Sequence, residues 1–320
     1  MMRFFYVLVI GCLLAPGMAF SQAIDNTALA RSISNDRYVR LAYENDYFAA
    51  RDYYYTQGIS LQFVHPALRH FPVSRLLLRP QNAVMQYGLA AEHNAYTPQD
   101  YTKTEIQTGD RPFAAALFLR TFAIATDTVR RQRITTSLST GIIGPGAGGM
   151  EMQTGIHKWT NNPRPEGWHN QVANDVVLNY QLHYEKQLLA VNNYLCVSAD
   201  GMVRVGTLSD KANIGFTAMA GYFDVPFLPN LHRKFRLYVY DHPELNFVAY
   251  DATMQGGVFN HESPYLLSGN DLAHVVFKNN WGIVLQAGKL YLEYFQSFLT
   301  KEFNGGLDHR YGGIQVGIGF

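Results

Sequence analysis

The chain has 320 residues with 26 basic and 25 acidic side chains, so no bulk charge is available to hold nucleic acid, and no Lys/Arg run forms a backbone-tracking groove. Aromatic residues make up 14% of the chain, with 21 Tyr and 20 Phe, while charged residues are only 16%, a low share for a water-facing surface. No apolar run beyond the N-terminal segment is long enough for a spanning helix, so an exported chain of this composition points to a barrel.

Residues 1–23 read as a cleaved signal peptide: Arg3 supplies the charged start, Phe4 to Ala15 the apolar stretch, and Ser21-Gln22-Ala23 a small-x-small cleavage pattern. A lipoprotein reading at Val9-Ile10-Gly11-Cys12 is weaker, because apolar sequence continues past the cysteine. Cleavage leaves Cys196 alone, so the mature segment 24–320 forms no internal disulfide and depends on packing and strand pairing. That segment shows no linker, short-period repeat or low-complexity stretch and is read as one domain.

In chain order, strand-like runs fall at about 38–48, 56–66, 83–94, 112–125, 131–143, 174–188, 194–207, 211–222, 234–256, 274–288, 289–300 and 309–320. The run 234–256 is long enough to hide a break at His242-Pro243. The alternation is clear in Asp175 to Glu185, where Val176, Leu178, Tyr180, Leu182 and Tyr184 oppose Val177, Asn179, Gln181, His183 and Glu185. It recurs at the end, where Ile314, Val316, Ile318 and Phe320 share one face. Alternation alone does not separate a sandwich from a membrane barrel. An even count of about twelve, polar inner faces read as Tyr, Gln, His and Glu, and a terminal Phe320 closing a strand favour the barrel. The terminal aromatic resembles the C-terminal signature of outer-membrane barrels, which implies the barrel-assembly machinery as a partner. With the mature N-terminus in the periplasm, the long connections 49–55, 95–111 and 144–173 face outward and the inner ones are expected to be short.

The chemically suggestive motifs gather on the first three outward connections: Asn45, Asp46, Asp52 and Thr56, then "GDRPF" with Asp110 and Arg111, then "IGPGAGGMEMQTGIHKW" with Glu151 and His157. Strand parity directs Asp46 and Thr56 lumenward and Asn45 towards lipid, a split that suits an amphiphilic ester better than a channel solute. An imidazole such as His157 can take a proton from attacking water, and a carboxylate such as Asp46 suits a hard cation. Each also has a plainer reading: a surface histidine, a turn cap at Asp46 or Asn45, an ordinary strand-start threonine, and an Asp110–Arg111 pair that only pins its loop. The Gly144, Gly146, Gly148 and Gly149 cluster lacks the spacing and the Lys-Ser/Thr of a P-loop and is read as loop shaping.

"ENDYF", "DYYYTQG", "GDRPFAA", "IGPGAGGMEMQ" followed by His157, "GWHNQVAND" and "TKEFNGGLDHRYGGIQVGIGF" together resemble the outer-membrane lipid A 3′-O-deacylases (LpxR-like) over nearly the whole mature chain. The resemblance implies a twelve-stranded barrel in the Gram-negative outer membrane that hydrolyses the 3′-linked acyloxyacyl ester of lipid A with calcium. It puts Asn45, Thr56 and His157 in catalysis and Asp46 on the metal, with the active site towards the extracellular side. Two departures stand out: the family glutamate six residues after the histidine is Pro163, and the basic pair of the second loop is not reproduced around Tyr101. Glu166 or Glu151 is then expected to substitute, or the activity is altered or lost. The rival readings are a passive pore or structural barrel, and a serine-dependent outer-membrane phospholipase, which lacks a G-x-S-x-G motif or a rim serine beside His157.

Overall fold

The computed structural model describes residues 37–320 apart from 52 and 228–232, so the segment 1–23 expected to be a signal peptide and Asp52 lie outside the described residues. Twelve antiparallel strands form a closed barrel. They are β1 (Tyr38–Asn45), β2 (Tyr54–Val64), β3 (Val84–Thr97), β4 (Ala114–Asp127), β5 (Gln132–Ile143), β6 (Asp175–Val191), β7 (Leu195–Gly206), β8 (Ser209–Tyr222), β9 (Phe235–Asp251), β10 (Val275–Ala287), β11 (Leu290–Leu299) and β12 (His309–Gly319). Pairing of β1 with β12, from Tyr38 opposite Gly319 to Asn45 opposite Gly312, closes the wall and removes both edges.

Alternation sorts the side chains as the sequence implies. Leu41, Leu61, Phe63, Leu117, Leu119, Leu178, Val203, Phe216, Trp281 and Ile318 are exposed on the outside. Such an apolar belt around a polar interior is stable only against hydrocarbon.

The interior carries more charge than the expected Tyr, Gln, His and Glu. Arg120 pairs with Glu92 at 2.9 Å, Arg133 with Glu185 at 3.5 Å and Lys278 with Glu244 at 3.3 Å, all buried. His183 and His242 both approach Asp200, and Arg204 binds the Gln181 side chain. Alternation reveals which face is polar; the pairing that lets cations sit there is a cross-strand property. A gap of about 10 Å³ among Arg120, Arg204, Asn94 and Thr253 has room for one water.

β9 runs through Pro243 without breaking. The ladder to β10 continues past Pro243, whereas the ladder to β8 skips from Glu244 to Asp241, where the missing proline N–H would fall. The strand ends at Asp251, whose side chain caps a helical turn at 252–255, so the run predicted to 256 is shorter by that turn.

Connections 46–53, 98–113, 144–174, 207–208, 252–274 and 300–308 lie at one end, the upper end. The lower end has tight turns at 128–131, 192–194 and 288–289, the last with Gly288 at φ +58°. It departs from the expected shortness at 65–83, which folds into two 3₁₀ turns opened by Pro66 and Pro72, and at 223–234.

Candidate active site

The first connection is a tight 3₁₀ turn over Asp46–Ala49. Asn45 caps it, its Oδ1 accepting from the Tyr47 N–H at 2.7 Å, while its Nδ2 donates to the Thr56 carbonyl at 2.5 Å and to the Tyr43 hydroxyl at 3.2 Å. One amide thus clamps the end of β1 to the start of β2. Asp46 is 1% exposed, and its Oδ2 accepts from the Tyr53 N–H at 2.7 Å. Asn45 points outward, as parity predicts.

Thr56 does not keep the predicted lumenward direction. Tyr55 pairs with Tyr96 and Gln57 with Ala95, so Thr56 is the extra residue of a bulge. Tyr54 before it adopts φ +70°, a sparsely populated region for a bulky side chain. Tyr55 stays inside, with its hydroxyl on Glu44 Oε2 at 2.8 Å, and Thr56 turns to the third connection.

That connection folds back over the outside of the wall. Gly144 N–H bonds the Ala115 carbonyl at 2.8 Å and Val172 N–H the Phe113 carbonyl at 2.9 Å, and between them lies a helix, α1 (Gly149–Thr160). Its buried residues are Gly149, Gln153 and His157, one stripe at i, i+4, i+8. Gly149 is required by contact: a Cβ there would lie 2.5 Å from the Ala115 Cβ and 2.7 Å from the Trp168 ring. Ala115 belongs to the outward face of β4, between the lumenal Ala114 and Ala116, so α1 covers the outer wall.

Gln153 locks the helix in place. Its Nε2 donates to Thr56 Oγ1 at 3.0 Å and its Oε1 accepts from Trp168 Nε1 at 2.6 Å, all three residues being buried. His157 follows one turn later, about 6 Å along the axis. Its Nδ1 lies 2.6 Å from the Pro163 carbonyl oxygen, and the Tyr101 ring meets it edge-on at 5.1 Å. A carbonyl only accepts, so Nδ1 carries the proton and Nε2 is the nitrogen left to act as a base in the neutral ring. Asn45, Thr56, Gln153 and His157 therefore assemble on the outer surface of the barrel.

A family model described as Outer membrane protein LpxR matches residues 8–320. The chain belongs to the LpxR family. It is an outer-membrane β-barrel of the Gram-negative envelope. Among solved structures, LpxR from Salmonella typhimurium superposes with a TM-score of 0.73 at 18% identity, covering 88% of this chain and 100% of that one, a likeness of fold. The β-domain of the Bordetella autotransporter BrkA follows at a TM-score of 0.47 and 10% identity, covering 89% of this chain and 98% of that one. The translocator domain of NalP from Neisseria meningitidis has 0.45 and 10%, covering 100% and 95%. No curated protein sequence matches the chain.

In this LpxR-family chain the two carboxylates considered for the Pro163 departure point elsewhere. Glu166 is exposed and faces Arg164 at 3.7 Å, while its backbone N–H bonds the Tyr101 carbonyl at 3.0 Å and ties the third connection to the second. Glu151 is exposed in the first turn of α1, off the buried stripe. The contact to His157 Nδ1 is made by the Pro163 carbonyl instead.

Asp110 and Arg111 brace the loops through separate partners. Asp110 accepts from the N–H groups of Gln99 at 2.8 Å and Arg111 at 2.7 Å, and burial pushes its carboxyl up against their pull. Arg111 donates to Glu302 at 2.7 Å and Thr253 at 2.6 Å and lies 4.1 Å from the Tyr96 ring centre, joining the second, fifth and sixth upper connections. Burial pushes the Glu302 carboxyl up to about 7, with Arg111 opposing.

Among the described residues no three His, Cys, Asp or Glu side chains group as a metal-ligand set. Calcium takes carbonyl and water oxygens alongside carboxylate. A buried Asp46 carboxylate in a turn of amide and carbonyl oxygens fits that chemistry. Gln153 was part of a quoted motif but had no assigned role; the signal that could have found it is its i, i+4 spacing to His157.

Proposed function

We propose that this protein is a lipid A deacylase that hydrolyses the 3′-linked acyloxyacyl ester, with its upper end facing the outside of the cell. The observation that carries the reading is the location of Asn45, Thr56, Gln153 and His157 on the outer wall, beside the hydrocarbon-facing belt, rather than in the lumen. A lipid in the surrounding leaflet reaches such a site sideways, without passing through the barrel.

His157 holds its proton on Nδ1 against the Pro163 carbonyl, and Nε2 takes a proton from water as that water attacks the ester carbonyl carbon. The imidazolium then returns the proton to the sugar oxygen as the C–O bond breaks, giving a free acid and a hydroxyl. Asn45 and Thr56 set the wall of the site towards β1 and β2, and Gln153 fixes α1, hence His157, against that wall. Calcium, held by Asp46 with oxygens of its turn, would supply positive charge for the developing oxyanion.

Mass spectrometry of lipid A from cells with and without the protein tests the reading. Loss of the 3′-linked acyl group only where the wild type is present, and not with His157→Gln, is expected. Unchanged lipid A with a folded wild-type barrel would refute it.

A further inference from the structure

β12 directs His309 and Tyr311 inward and Arg310, Ile314, Val316 and Ile318 outward. Arg310 is therefore a cation on the lipid-facing wall, at the second residue of the strand and at the same end as the site. Its guanidinium lies 5.4 Å from the Phe298 ring centre, and among the described residues no carboxylate forms an ion pair with it. An Arg on the outside of a barrel is strongly destabilising at the bilayer midplane and nearly neutral at the interface, so this one belongs at headgroup level.

Its neighbours are those of the site. Asn45 pairs directly with Gly312, which puts Arg310 two residues further along the adjacent strand and on the same face, about 7–8 Å away as a diagonal neighbour. Between them Phe48 lies over Gly312, where a Cβ would come within 2.8 Å of the Phe48 Cβ, and Phe48 packs edge-on against Tyr43 and Tyr294. The surface thus offers an apolar saddle for acyl chain, with the Asn45 turn on one side and, on the other, a guanidinium that has no ion-pair partner among the described residues. Lys158, next to His157 in sequence, is exposed off the buried stripe of α1.

We propose that Arg310 binds a phosphomonoester of the glycolipid substrate, on the ring position next to the one that bears the scissile ester, and so makes the enzyme selective for phosphorylated lipid A. The inference rests on the deacylase reading above. A guanidinium presents paired N–H donors that match two phosphate oxygens, and a phosphate vicinal to the ester spans the short distance between Arg310 and the Asn45 turn. Arg310 is a positioning residue: it holds the sugar while His157 and its neighbours act on the ester.

The test uses the purified full chain in lipid–detergent mixed micelles, with phosphorylated lipid A and the same lipid after phosphatase treatment. Wild type should lose about 10- to 100-fold in kcat/KM on the dephosphorylated lipid, mainly through KM, the scale of a lost charge-assisted contact. Arg310→Gln should show that loss on the phosphorylated lipid and no further loss on the dephosphorylated one. Arg310→Lys should recover part of it, and Lys289→Gln, at the opposite end of the barrel, should match wild type. Heat-modifiable gel mobility checks that each variant is a folded barrel. An Arg310→Gln enzyme that keeps the wild-type preference for phosphate would overturn the assignment. A wild type inactive on both lipids would overturn the deacylase reading, and this inference with it.

Discussion

Replacing Gln153 by leucine keeps nearly the same volume but removes both ends of the bridge that docks α1. The Trp168 Nε1–H, 1% exposed as a residue, loses its 2.6 Å acceptor, and the Thr56 hydroxyl loses its 3.0 Å donor. Leaving a buried polar group unsatisfied costs about 1–3 kcal/mol, and the hydroxyl, which can rotate, falls at the low end of that range. The two together weaken docking of α1 by about 2–4 kcal/mol, a 30- to 1,000-fold rise in its opening equilibrium. Hydrogen exchange reads this directly: amides of 149–160 should lose protection by that factor while the ladders of β6 to β11, far from the helix, stay unchanged. Deacylation should fall with it, because His157 rides on the same helix. Unaltered protection of α1 in Gln153→Leu would refute the claim that this bridge holds the helix to the wall.

His157→Gln keeps hydrogen-bonding capacity but accepts no proton at neutral pH, so deacylation should drop about 10²–10⁴-fold with barrel mobility on gels intact. Glu166→Gln and Glu151→Gln should each change turnover less than about two-fold, the range of surface substitutions, and a large loss in either would show that its carboxylate reaches the site in the working enzyme. Chelation should abolish activity and calcium restore it, with Asp46→Ala insensitive to added calcium; full turnover in excess chelator would remove the metal from the mechanism. The Glu302 carboxyl, raised to about 7, makes the folded upper loops favour its protonated form. That contribution is complete below the unfolded value of about 4.3 and is lost as pH rises through about 7, so protease nicking of the 300–308 connection should speed up across that window in wild type and less so in Glu302→Gln. Parallel pH profiles would exclude Glu302 as the cause.

Much of the barrel is legible in the residue pattern, because side-chain direction in a strand has a period of two and each run from β1 to β12 carries its own record of it. The even number of runs follows from the same local rule. The candidate motifs were legible as a group too, since Asn45, Asp46, Thr56 and His157 all lie at one end of the barrel. What pattern alone could not reach begins where periodicity is interrupted. One bulge residue turns Thr56 from the lumen to the outer wall, and a bulge is set by pairing with β3, not by the run itself. Gln153 meets Thr56 across 97 positions, and only the folded third connection brings them together. The acceptor on His157 Nδ1 comes from the backbone of Pro163, which any residue type could supply, so no side chain in the sequence announced it. Arg111 was read beside Asp110, its neighbour in the chain, yet its carboxylate partner is Glu302, because burial under three loops leaves a guanidinium no stable alternative to a distant counter-charge. Local alternation determined the wall and its two faces; contacts between residues far apart in the chain decided which face carries the candidate site.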